Sequence, residues 1–205
     1  MKKPDIPVVE LSNLHDDIEE DIIQYHLYQS ETLTLNEHGK EIKNCHLENI
    51  TFEECYFYNS YFIDALFENC DFSNIHFSSC LFRRVQFKNC KCLGSDFSES
   101  IFDNVSFVDC QCGFMNLAFM KNKEVNFTTC DFNNGSFLEV QLSKTTFDDC
   151  SFMRCEIQQS SLYNIDLSTC NLNGILITPH DIQGAIIDSY QSSSLIHLLK
   201  VHIKE

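Results

Sequence analysis

Phe52-Glu53-Glu54-Cys55-Tyr56-Phe57-Tyr58-Asn59-Ser60-Tyr61-Phe62 places a phenylalanine at every fifth residue, and the same beat runs on through Phe67, Phe72, Phe77, Phe82 and Phe87. A helix returns an apolar residue to one side every three or four positions and a half-buried strand every second, so neither holds this period. A chain that feeds one interior every five residues must turn once per unit.

Extended in both directions, the frame covers 30 sites from Ile42 to Ile187, all apolar except Asn122, and takes in 16 of the 18 phenylalanines. The site two residues earlier in each unit is small: Cys45, Ile50, Cys55, Ser60, Ala65, Cys70, Ile75, Cys80, Val85 and Cys90. One large and one small inward residue per unit leave three positions for water. Residue types also recur in columns 20 apart, as in Cys70, Cys90, Cys110, Cys130, Cys150 and Cys170 or Val85, Val105 and Val125. Four units therefore close one coil, and stacked coils make a solenoid in which each buries its apolar edge against its neighbours.

Residues 40–187 resemble the pentapeptide-repeat family, which has this central Leu or Phe and this small residue two before it. The resemblance implies an all-β fold, a right-handed quadrilateral β-helix; the handedness comes from it and not from the spacing. At about 4.8 Å per coil the rod would be roughly 35 Å long. Asn, Asp and Ser crowd the outward sites because their side chains hydrogen-bond a turning backbone, which also accounts for the glycosylation-like triplets at Asn49, Asn104, Asn126 and Asn134.

The chain of 205 residues has a formal net charge of −16. That sign disfavours nucleic acid or an anionic membrane as direct partners and favours basic clefts, although any β-helix also needs charge on its outward sites. No run of 18 apolar residues exists to span a membrane, and Met1-Lys2-Lys3-Pro4-Asp5 has no apolar stretch of a signal peptide behind it. Ten of the 12 cysteines hold the small inward site, and Cys92 and Cys112 replace Phe at the central one. They read as small hydrophobes in a reducing, cytoplasmic compartment rather than as a disulfide framework. Cys90, Cys92, Cys110 and Cys112 form two C-x-C pairs one coil apart, a set that could hold zinc, but on inward-facing extended segments with no His beside them they are not preformed for it. No metal or cofactor is expected, and no catalytic constellation or phosphate loop is found, so the chain does not read as an enzyme.

Three segments follow. Residues 1–39 form an acidic capping segment over the open first coil, where Leu14, Ile18, Ile22 and Tyr25 fall at helical spacing; alternatively irregular repeats begin near residue 20, because Ile22 and Leu27 keep the fivefold frame. Residues 40–187 are the β-helix. Residues 188–205 hold a short helix with Leu195, Leu198 and Leu199 on one face and Tyr190 before it, suited to packing on the last coil, on a second copy, or on both.

The frame falters between Cys112 and Glu124. Asn122 takes a Phe site, and the off-frame Phe114 and Phe119 stand where side chains should face solvent. Either a bulge presents them as a recognition surface, or they fold over a local defect.

The ending Asp181-Ile182-Gln183-Gly184-Ala185-Ile186-Ile187-Asp188-Ser189-Tyr190-Gln191, followed by Leu195, resembles the C-terminus of the Qnr quinolone-resistance proteins, to which McbG and MfpA are related. The resemblance implies a DNA-mimicking binder of DNA gyrase or topoisomerase IV, a homodimer joined at its C-terminal helix, and fluoroquinolone resistance. This chain departs from the pattern in having no inserted loops and a longer acidic N-terminal segment. A partner-binding acidic face is legible in the units centred at 47, 67, 87, 107, 127, 147 and 167: Glu48, Glu68, Asp109, Asp148, Asp149 and Asp166 stand against the single Lys88, whereas the preceding face mixes Lys43, Arg83, Arg84, Lys121, Lys123 and Lys144 with acids. A generic protein interaction module is the other reading, since fold alone does not give function.

Overall fold

The computed structural model describes residues 1–7, 10–12, 22–24, 26–34, 36–142 and 144–199. Its body is a parallel β-solenoid of about eight coils with one short helix near the C-terminus. The longest strands, Tyr61–Glu68, Leu81–Lys88, Ile101–Val108 and Lys121–Thr128, lie side by side, each residue paired with the one 20 later. Phe62, Phe82, Phe102 and Asn122 share one column, and Phe67, Phe87, Phe107, Phe127 and Phe147 another. Four units per coil is thus the observed geometry.

The turning is local. In nearly every unit the residue two after the central one has a positive φ, as at Asn44 (53°), Asn69 (55°), Asp109 (55°) and Asn134 (58°). This left-handed conformation is cheapest for Gly and tolerable for Asn and Asp, which explains their abundance at that site. Inside, rings stack between coils and meet edge-on around one coil: Phe87 and Phe107 are 4.3 Å apart at 9°, and Phe67 and Phe72 are 5.2 Å apart at 86°. Both arrangements suit the aromatic quadrupole.

The small inward sites follow from a polar requirement as well as from volume. Most Cys there donate the thiol to a carbonyl of the preceding coil, Cys90 to Phe67 O at 3.5 Å, Cys110 to Phe87 O at 3.6 Å and Cys130 to Phe107 O at 3.6 Å. Ser95, Ser100 and Ser160 do the same to Phe72 O, Phe77 O and Phe137 O at 2.7 to 3.0 Å.

The stack begins earlier than the frame from Ile42 suggests. Ile22–Gln24, His26–Gln29, Thr32–Leu33 and Asn36–His38 are strands of a further coil, so the solenoid extends into the segment read as a cap. Its inward residues are Ile23, Tyr28 and Leu33, paired 19 residues ahead with Ile42, Leu47 and Phe52, and not Ile22 and Leu27. The 20-residue register is regained at Glu37, opposite Phe57, because the unit between Leu33 and Glu37 is one residue short. Ile22 lies in a strand and not in a helix; Leu14, Ile18 and Tyr25 fall outside the described residues. Glu10–Leu11 pairs with His26 and Leu27 and adds one more strand at that end.

At the other end, Gln191–Leu195 is helical and Ile196–Leu199 forms a 3-10 turn. Asp188 Oδ1 accepts the Gln191 N–H at 2.8 Å while Gln191 Oε1 accepts the Asp188 N–H at 2.7 Å. The Gln191 amide then donates to Leu167 O and Cys170 O, beside the point where the chain leaves the last coil. No helix among the described residues is long and apolar enough to cross a membrane.

Candidate functional site

The acidic residues read from the sequence are brought to one face but not into one strip. Register places Glu48, Glu68, Lys88, Val108, Thr128 and Asp148 in a single column. Glu68 lies between Lys88 (2.7 Å) and His46 (3.5 Å), and the Lys88 hydrogen bond holds its carboxyl below the usual range. Glu48 accepts a hydrogen bond from Gln29 Nε2. The freer charge lies elsewhere: Asp109, Asp148, Asp149 and Asp166 are exposed, and none forms an ion pair among the described residues. Asp148 Oδ1 accepts from the Thr169 hydroxyl at 3.3 Å, and Thr169 also receives the Asp149 N–H at 3.0 Å. Asp166 takes the Ser168 N–H at 2.9 Å, and that local bonding lowers its pKa. Along this column the ion-pair-free Asp148, with Asp149 and Asp166 beside it, is therefore separated by Val108 and Thr128 from Glu68, whose charge Lys88 offsets.

The mixed face next to it is knitted together by its own charges. Arg84 grips Asp64 with two guanidinium nitrogens, Nε at 2.6 Å, and Arg83 and Lys123 flank Asp103 at 3.4 and 3.7 Å. Residues 1–7 run along this corner: Asp5 N donates to Asp64 Oδ1 at 2.9 Å, Lys2 N to Asn104 Oδ1 at 2.8 Å, and Asn44 Nδ2 to Asp5 O at 2.8 Å. Asn44, Asp64 and Asn104 are left-handed corner residues of the coil stack, so the segment is a strap along the rod axis. Nothing in its composition announces this, because its anchors are main-chain groups, N–H and C=O alike. Burial would raise the Asp64 pKa, but the Arg84 and Asp5 hydrogen bonds outweigh it and hold the carboxyl below its ordinary value.

The stretch 112–124 contains no bulge. Ile101, Phe102 and Asp103 pair with Lys121, Asn122 and Lys123 at the full 20-residue spacing, and no residue is inserted. Its core is filled by exchange of sizes: Cys112, Leu117 and Asn122 are smaller than Phe at the central sites, and Met115 and Met120 are larger than Cys or Ser at the small ones, all buried. Total volume is what a core must conserve. Asn122 Nδ2 donates to Thr145 Oγ1 at 2.5 Å, while its Oδ1 is buried without a partner. Phe114 and Phe119 do not cover a defect: they are 65% and 43% exposed, on left-handed corners with φ of 58° and 61°.

The helix residues divide. Leu195 is buried in its own core, Leu198 packs partly against it, and Tyr190 is 85% exposed; Leu199 lies in the 3-10 turn, its side chain outside the described residues. Beside them an open apolar groove is lined by Ile157, Ile175, Leu176, Ile177, Pro179 and Leu198. The four cysteines weighed for zinc are all buried, and Cys90 and Cys110 spend their thiol protons on carbonyls. Burial raises the Cys112 thiol well above its ordinary range and pushes Cys80 up to about 12. One surface feature has no counterpart in the fivefold frame: Tyr56 stacks on His76 at 5.1 Å and lies near Tyr58, across adjacent coils.

Two family models match, a pentapeptide repeat region over residues 40–116 and pentapeptide repeats over residues 136–174, together more than half of the chain. The chain belongs to the pentapeptide-repeat family. The curated proteins contain no match. Among solved structures, a trypsin-treated variant of QnrB1, a plasmid-mediated fluoroquinolone resistance protein, is 17% identical with a TM-score of 0.45, covering 90% of this chain and 94% of that one. Full-length QnrB1 is 14% identical with a TM-score of 0.43, covering 85% and 100%. HetL from the cyanobacterium Nostoc, a protein involved in heterocyst differentiation regulation, is 9% identical with a TM-score of 0.33, covering 91% and 92%. A pentapeptide-repeat solenoid of this kind is a scaffold for structure and protein binding.

Proposed function

We propose that this pentapeptide-repeat protein binds a type II topoisomerase, DNA gyrase or topoisomerase IV, in the basic channel that otherwise holds DNA, and so raises tolerance to fluoroquinolones. The observation that carries the reading is the exposed, ion-pair-free patch Asp148, Asp149 and Asp166 near the end of a rod whose last residues, Asp181 to Gln191, are Qnr-like. Five coil steps separate Asp148 from Glu48, about 24 Å at the spacing of paired strands. B-DNA carries one charge per roughly 1.7 Å, so the likeness to DNA is one of shape and sign rather than charge density. Two copies joined at the C-terminal groove and the exposed Tyr190 would bring two Asp148 patches toward the centre of a longer rod. That arrangement supports a homodimer as the binding form.

A supercoiling assay with each purified enzyme, with and without the protein and a quinolone, tests this. Protection of supercoiling from the drug is the expected result. No effect on supercoiling, cleavage complexes or drug sensitivity for either enzyme would discard it. The second reading, an interaction module without a topoisomerase role, is favoured by the neutral gap at Val108 and Thr128 and by the Lys88 charge that cancels Glu68.

A further inference from the structure

Phe114 and Phe119 are misplaced by every rule that accounts for the rest of the coil stack. Corner sites adopt positive φ, and across the coils they hold Asn, Gly, Asp or Ser far more often than an apolar residue. A phenylalanine there adopts a conformation that its Cβ disfavours and leaves its ring in water, where it contributes nothing to the core. The backbone beneath both rings is nevertheless held firmly: Phe114 N donates to Asn133 O at 2.9 Å and Phe119 N to Leu138 O at 2.8 Å, within an unbroken ladder. The interior of this coil is already filled by Met115 and Met120. Leu93, 39% exposed, reaches across Gly113, whose missing Cβ would stand 3.2 Å from Leu93 Cδ2, and so extends the apolar surface beside Phe114.

Phe114 and Phe119 bracket one side of a single coil, the unit centred on Leu117. In a four-sided coil that side lies two units from the one centred on Phe107, which carries Asp109 on the acidic face. The two rings thus lie on the side of the rod opposite Asp109. The column of Phe119 holds Glu99 and Glu139 one coil to either side. An apolar ring between two carboxylates fits an apolar socket in a protein with Lys or Arg on its rim, and those carboxylates would be repelled by an anionic lipid surface.

We infer that Phe114 and Phe119, with Leu93, are a second docking surface, by which the topoisomerase grips the rod on the side opposite its acidic face. The identity of the partner rests on the function proposed above; the two-sided grip does not follow from it. Coulombic attraction and burial of the rings respond differently to salt, since screening acts on the charges alone.

The affinity of the full chain for purified gyrase and topoisomerase IV, measured across a salt series, separates the two surfaces. Phe114→Asn with Phe119→Asn places at both corners the residue type already found at Asn74 and Asn134, so the fold should be retained. This double variant should lose about tenfold or more in affinity at every salt concentration, with an unchanged salt slope and an unchanged or higher thermal midpoint. Glu68→Lys, Asp109→Lys and Asp148→Lys together should instead flatten the slope. A Phe pair variant that binds like the wild type removes the second surface while the topoisomerase reading stands. A lower thermal midpoint with proportionate loss of binding assigns the rings to packing and also overturns it. A wild-type chain that binds neither enzyme defeats the topoisomerase reading itself, and this contact with it.

Discussion

Where the inward residue two before a central one is Cys or Ser, it serves hydrogen bonding as well as size; elsewhere Ala, Val or Ile fills the same site. Cys90, Cys110 and Cys130 and also Ser95 and Ser100 all place a donor on the carbonyl that the preceding coil leaves pointing inward. Spacing shows that the site is small; only the stacked coils show that it is also a donor site. Asn122 is the central residue at which this logic fails, with Oδ1 buried and unbonded. An unmet buried acceptor of this kind costs on the order of 1–3 kcal/mol. Asn122→Leu should therefore raise stability by about 1 kcal/mol, read as a rise of about 2–4 °C in the thermal midpoint. A midpoint that falls would mean that the Thr145 hydrogen bond outweighs the stranded oxygen. Conversely, Phe87→Ala, in the middle of the best-stacked column, should cost about 3–5 kcal/mol.

At the scale of elements, the two ends of the chain do different work from the coils. The strap of residues 1–7 is tied to the corner through Asp64, which Arg84 and the Asp5 N–H keep ionised. Because the folded pKa of Asp64 lies below its unfolded value near 3.8, its contribution is complete above that value and is lost as pH falls through the folded one. Asp64→Asn should lower the thermal midpoint at pH 7, with the gap to wild type narrowing by about pH 3. A gap that stays constant with pH would show that the carboxylate charge plays no part. At the other end, Leu195 is committed to its own core, so the proposed homodimer would have to draw on Tyr190, the Leu176–Ile177 edge and the adjoining groove. Removal of residues 188–205 should halve the mass seen by light scattering at a concentration where the full chain is a dimer; an unchanged mass would exclude Tyr190 and the helix as the joint.

For the whole molecule, the acid distribution decides how charge can act. With Glu68 neutralised by Lys88 and the free aspartates at Asp109, Asp148, Asp149 and Asp166, attraction to a basic partner should be concentrated toward the C-terminal half. Asp148→Lys with Asp149→Lys should therefore weaken topoisomerase binding at physiological salt more than Glu48→Lys with Glu68→Lys; equal effects in a binding titration would show that position along the rod is irrelevant. The coil architecture itself was legible in the primary structure, because a fivefold frame of large residues with small ones two before it admits no helix and no flat sheet. The 20-residue columns of Cys and Val likewise announced four units per coil. Three features were not legible. The register of the first coil, though not its presence from about residue 20, hides behind a unit one residue short, which moves the inward set from Ile22 and Leu27 to Ile23, Tyr28 and Leu33. The strap binds through main-chain groups, N–H and C=O alike, that do not depend on residue type. Whether Phe114 and Phe119 point in or out depended on whether Met115 and Met120 had already filled the coil, a matter of volume in three dimensions. Local periodicity dictates where a chain must turn, whereas charge pairing and the filling of space are settled between residues 20 or more apart, and only the stacked structure brings those together.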